Sequence, residues 1–258
     1  MSHHSKLFCR SAIAAALMSL ATLASASVVT MSSFTGQWMN VTGGSSLSNT
    51  GTGNNPSLRW GSPTTNNGQS GYDMDLAPNA SVSAPITQNV PPNTSPFLIG
   101  TFTHLNQPIS PGTSITGVDL RVNFDINIDG NDLGFQDFFF HFAHDETPNG
   151  DDPCAYGGAN NQGVNINGCA DRVLVSFLNT SSTFTVGGVP FTFNLLGFST
   201  NGGATISNQF LTVENANNPA GLYATIQTRS SVNVPEPGTV LLLALGLGAF
   251  TLVRRRAV

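Results

Sequence analysis

The segment from Val118 to Ile128 constrains the fold more than any other part of this 258-residue chain. Val118, Leu120, Val122, Phe124, Ile126 and Ile128 alternate without a break against Asp119, Arg121, Asn123, Asp125 and Asn127. Successive side chains on a strand point to opposite faces, so this period of two predicts a strand buried on one face and polar on the other. Gly130-Asn131 supplies a turn, and Phe138, Phe140 and Phe142 then alternate against Phe139 and His141. A second strand is expected to pair back on the first.

Further strand candidates are 97–103, 172–178, 184–186, 190–196, 210–213 and 222–229, several of them separated by turn signals such as Gly187-Gly188, Asn201-Gly202 and Asn217-Asn218-Pro219. Residues 42–71 read as long loops around a strand near Leu58 to Trp60. Only 9% of residues are charged, and the body is rich in Ser, Thr, Asn and Gly, which favours short strands and turns over helices. The expected fold is all-β, a single jelly-roll-like β-sandwich flanked by an N-terminal signal helix and a C-terminal hydrophobic helix.

The two apolar segments lie at the ends. Lys6 and Arg10 precede an apolar stretch from Ser11 to Leu23, and Ala24-Ser25-Ala26 offers the small residues a signal peptidase accepts. Cleavage is expected after Ala26, giving a signal peptide at 1–26 and a body at 27–233. At the other end, Val234-Pro235-Glu236-Pro237-Gly238 leads into fifteen apolar residues, Thr239 to Val253, and then Arg254, Arg255 and Arg256. As a helix that stretch spans about 22 Å, short of the ~30 Å hydrocarbon core, and the arginines would hold its end in the cytoplasm. Such a segment suits temporary docking better than a permanent anchor.

Residues 234–258 resemble the PEP-CTERM sorting signal of Gram-negative bacteria in the Pro235-Glu236-Pro237 motif, the Leu/Gly-rich stretch and the stop-transfer arginines 254–256. The resemblance implies transient contact with the inner membrane, removal of the tail by an exosortase, delivery to the cell surface or beyond, and a link to exopolysaccharide and biofilm. Within the body, Thr103-His104-Leu105-Asn106 is similar to the signature of the THxN family of PEP-CTERM proteins and of choice-of-anchor K modules. Trp60-Gly61, Asp145 to Asn149 and two later cysteines add to that likeness over roughly residues 60–178. It implies a secreted β-rich module with no catalytic residues to carry over.

The body holds four arginines, no lysine and an acidic cluster between Asp119 and Asp171, a balance opposite to that of a nucleic-acid binder. Cations or neutral polysaccharide suit it better. Cys154 and Cys169 are the cysteines left after signal removal, and in an oxidising compartment they are expected to form a disulfide. The loop between them is mostly Gly and Asn and could not hold a shape alone.

Asp125-Ile126-Asn127-Ile128-Asp129-Gly130 matches the first half of a calcium loop, but Gln136 stands where a bidentate Glu belongs. Calcium at Asp129, Asn131 and Asp132, or near Asp145, Asp151 and Asp152, is one reading; the strand alternation explains the first group without a metal. His104, His141 and His144 also suggest a metal. The odd spacing of the last two puts them on opposite faces of a strand, and a structural hydrogen bond involving His104 and Asn106 is the plainer account. Trp38, Trp60 and Tyr72 either stack on sugars or fill the core. Glu146 with Asp145 or Asp171 offers carboxylates for hydrolysis, yet the chain has no G-x-S-x-G elbow, phosphate loop or HExxH. The expectation is a non-enzymatic structural or adhesive module with an exosortase and extracellular polysaccharide as partners; the alternative is a secreted polysaccharide hydrolase or lyase using the acidic segment.

Overall fold

The computed structural model describes residues 26–85, 95–178, 182–186 and 189–228. Ala24, Pro235, Glu236, Pro237, the three terminal arginines and both expected terminal helices lie outside the described residues. Among the described residues no helix is long and apolar enough to cross a membrane.

The body is a two-sheet β-sandwich. In chain order its strands are β1 (Ala26–Gly43), β2 (Ser48–Asn49), β3 (Ser57–Trp60), β4 (Ser70–Leu76), β5 (Asn79–Pro85), β6 (Phe97–Asn106) and β7 (Ile115–Ile128). They are followed by β8 (Asn131–Asp145), β9 (Asp171–Phe177), β10 (Ser182–Val186), β11 (Val189–Ser199), β12 (Gln209–Thr212) and β13 (Ala216–Thr228). One sheet runs β12-β9-β8-β7-β1-β5 and the other β10-β11-β13-β6-β4-β3-β2.

The β7–β8 hairpin forms as the alternation requires. Leu120 faces Phe140 and Val122 faces Phe138 across the ladder, and all four are fully buried. Their rings and those of neighbouring strands tie the sheets together. Phe34, Phe124, Phe138 and Phe193 form a chain with successive centroids 4.5, 4.5 and 4.4 Å apart, running from β1 through β7 and β8 to β11 of the opposite sheet. Each such ring contributes about 1.5–3 kcal/mol by leaving water.

β1 is the strand the sequence pattern hides. Val29 and Met31 point inward, then Phe34, Gly36 and Trp38, so the buried set changes parity. The ladder to β7 shifts between Ser32 and Thr35, where Ser33 has φ 58°, and again between Met39 and Thr42, where Asn40 has φ 52°. Each bulge inserts a residue and reverses which positions face the core.

The registers also fix the two ends of the sandwich. β13 pairs Ala216 with Asn106 and Ala224 with Phe97, so Thr228 lies at the end away from Asn106. β1 pairs Gly43 with Ile115 and Val29 with Ile128, which places Ala26 at that same far end. The β7–β8 turn is there too. Its polar groups close the hairpin: Asp129 Oδ1 accepts from the Val28 N–H at 2.8 Å, Asp132 Oδ1 accepts from Gly134 N–H at 2.8 Å, and Asn131 Nδ2 donates to Ile128 O at 3.0 Å.

Candidate functional site

The opposite end of the sandwich gathers polar residues into its interior. β6 ends there with His104 and Asn106, β8 with His144, and β9 begins with Asp171. Thr212 closes β12, Glu214 lies in the turn to β13, and Glu146, Thr147 and Asn149 follow β8. Trp60 and Tyr72 wall the cluster, with the Trp60 ring 5.9 Å from His104 and 5.3 Å from His144. His104, Asn106, Asp171, Thr212 and Glu214 are all fully buried.

Hydrogen bonds fix most of these side chains in place. His104 Nδ1 lies 2.9 Å from Thr212 Oγ1, and the Asn106 amide donates to Thr212 O at 3.2 Å. The hydrogen bonds expected of His104 and Asn106 thus converge on β12. Thr103, the remaining residue of that motif, is half-buried, paired in register with Asp73 and Pro219. His144 Nδ1 lies 2.7 Å from the Tyr72 hydroxyl, and its Nε2 lies 3.4 Å from Glu146 Oε2. Asp171 Oδ1 accepts from the Thr147 N–H at 2.7 Å.

Other polar atoms in the cluster have no such partner. His104 Nε2, Asn106 Oδ1, Asn149 Oδ1 and Asp171 Oδ2 are buried without a hydrogen bond. A buried polar atom left unpaired costs about 1–3 kcal/mol, and more if it is charged. The charge is also unbalanced. Among the described residues Arg59, Arg121 and Arg172 are engaged by Asp73, Asp137 and Asp145, and neither Asp171 nor Glu214 has an ion-pair partner.

Protonation responds to that imbalance. Burial and then Glu146 push the Glu214 carboxyl up to about 7, although nearby Asn149 and Asn106 amides partly offset the rise. Burial, followed by Glu146 and Glu214, raises Asp171 well above the usual carboxylate range. Burial and then His144 lower His104, which keeps its ring neutral. Burial, then Asp171 and Glu146, raise Tyr72, which keeps its hydroxyl protonated.

Two overlapping groups have donor atoms within 4.8 Å of one another: His104 with His144 and Asp171, and Glu146 with Asp171 and Glu214. Either spacing could hold a metal ion. A cleft of about 510 Å³, lined in part by His144, Glu146 and Asn149, adjoins the cluster on its outer side. Glu146 is the partly exposed member, its side chain 21% exposed.

The loop from β8 to β9 is closed by the expected disulfide between Cys154 and Cys169, whose Cα atoms are 5.3 Å apart. Cys169 stands two residues before Asp171, and Thr147 Oγ1 donates to Cys169 O at 3.0 Å. The bridge therefore sits beside the cluster and anchors the segment that delivers Asp171.

Several other sequence candidates are placed elsewhere. His141 faces away from His144, bonding Asp119 at 2.7 Å on the outer face. Asp145 accepts from the Tyr156 hydroxyl and from Arg172, Asp152 accepts from Asn160 N–H, and with Asp151 they form no ligand group among the described residues. Trp38, Trp60 and Tyr72 are at most 1% exposed, which corrects the sugar-stacking reading: they fill the core. Glu214 was not singled out from sequence. A carboxylate directly after the strand residues Phe210 to Val213 was the available signal.

Beyond the described sandwich, the sequence itself carries an address. Residues 233–257 match the PEP-CTERM protein-sorting motif. That motif is the recognition signal for an exosortase, and it marks the chain for export, processing and cell-surface sorting. No curated protein matches the chain.

Proposed function

We propose that the processed body is a non-catalytic structural or adhesive module of the cell surface or extracellular matrix, of the THxN and choice-of-anchor K kind, working with exopolysaccharide in biofilm. The observation that carries this reading is the sorting motif at 233–257 following an all-β sandwich in which Trp38, Trp60 and Tyr72 fill the core. The signal peptide, with cleavage after Ala26, and the transient inner-membrane stage belong to the same reading. Replacing Pro235, Glu236 and Pro237 with alanine is expected to leave the tail on the exported chain, seen as a higher intact mass. An unchanged mature mass would refute processing at this motif.

The competing reading, a polysaccharide hydrolase or lyase, draws on the closeness of Glu146 and Asp171 beside the cleft. Glycan binding without turnover supports the module. Release of reducing ends, lost in Glu146→Gln, would overturn it.

A further inference from the structure

The cluster at the β6–β8–β9 end has a feature that hydrogen bonding within the protein leaves unresolved. Thr212 Oγ1 has the Asp171 carbonyl 3.4 Å away as an acceptor for its own proton. His104 Nδ1–H can then donate to Thr212, so the neutral ring keeps its proton on Nδ1 and presents a bare lone pair at Nε2. That lone pair is fully buried without a partner, and His104 offers a ligand atom within 4.8 Å of one from His144 and one from Asp171. Acceptors gathered around one point in the interior are satisfied by a cation. The hydroxyl on the other ring nitrogen supports this, because metal-binding histidines are oriented through that nitrogen.

We propose that His104 Nε2, His144 Nε2 and an Asp171 carboxylate oxygen bind one divalent transition-type cation such as Zn²⁺, with Glu146 closing the fourth position from the cleft. Two imidazoles with carboxylate suit zinc and its neighbours, whereas calcium takes six to eight oxygen ligands. Donors about 2.1 Å from a tetrahedral ion lie roughly 3.4 Å apart, so the ion would draw the present cluster slightly inward. Binding at Nε2 takes the His144 tautomer whose Nδ1–H donates to the Tyr72 oxygen 2.7 Å away. Glu214 adds negative charge beside the ion. Because His104 belongs to one sheet and His144 and Asp171 to the other, the ion fastens the two layers at this end.

The test uses the full-length chain in mild detergent, stripped with a chelator and titrated calorimetrically with ZnCl₂ and separately with CaCl₂. One equivalent of zinc is expected, with the melting temperature rising by about 5–10 °C at a hundredfold excess over Kd. His104→Gln and Asp171→Asn should each weaken zinc binding at least about tenfold, while the outward His141→Ala should not. Stripped Asp171→Asn should melt no lower than the stripped parent, because it removes a buried carboxyl crowded by Glu146 and Glu214, and should lose the zinc-induced rise. Should either buried variant fail to fold, Glu146→Gln at the cleft wall must still lower zinc affinity. The assignment is overturned by a folded parent that takes up no zinc, by calcium binding alone, or by zinc binding that survives all three ligand substitutions.

Discussion

Removing the disulfide should destabilise the sandwich through the unfolded chain more than through any lost contact. Cys154 and Cys169 are 15 residues apart, and closing a loop of that length contributes about 3 kcal/mol in the chain-entropy account. The folded loop has other ties that a Cys154→Ser/Cys169→Ser variant keeps. Cys154 N–H donates to Gly158 O at 3.1 Å, Asn165 Nδ2 donates to Gly157 O at 3.0 Å, and Ala170 N–H donates to Asn165 Oδ1 at 3.0 Å. The native loop can therefore persist while the unfolded state gains freedom. For a domain of this size each kcal/mol moves the melting temperature by about 2–4 °C, so the variant should melt about 6–12 °C lower. Scanning calorimetry of the oxidised parent, the reduced parent and the double variant measures this directly. If all three melt within about 2 °C of one another, the loop-closure argument is wrong for this protein.

Trp38→Ala should cost about 3–5 kcal/mol, since it empties a fully buried site and removes the Nε1–H bond to Pro56 O; a thermal melt close to the parent's would contradict the core assignment. For Asp137, partial burial alone would raise the pKa, but hydrogen bonds from Arg121 and Asn123 and the Arg121 charge outweigh it and hold the carboxyl low. The stability this adds is present above the unfolded value near 3.9 and lost as pH falls through the depressed folded value. Because both side chains are more than a third exposed, Arg121→Ala should cost under about 1 kcal/mol at pH 6, and the gap from the parent should close in acid melts below about pH 4. A gap that widened in acid would reverse the sign.

The central hairpin was legible because burial on one face writes itself directly into a period of two. β1 was not, although it carries Phe34 and Trp38, because the bulges at Ser33 and Asn40 switch the inward parity twice. The polar cluster was half legible. His104, His144, Glu146 and Asp171 each stood out by type, and the opposite facing of His141 and His144 followed from their spacing. What no local pattern contains is the pairing of sheets that brings His104 within reach of His144, 40 positions later, and Asp171 within reach of Glu214. The aromatic residues misled in the other direction. A tryptophan in a loop-rich stretch looks available to a sugar, and its burial is decided by the strands that arrive from elsewhere.

Ala26 and Thr228, the two outermost described residues, leave the sandwich at the same end, and β13 spans ~40 Å from there to the end holding His104 and Asp171. Any tether attached beyond Thr228 thus pulls on the far side of the molecule from the buried polar cluster. A layer of such molecules tethered beyond Thr228 would turn the disulfide loop and its cleft toward the medium. Exosortase processing at the sorting motif would take place at the base, out of reach of whatever the exposed tip encounters.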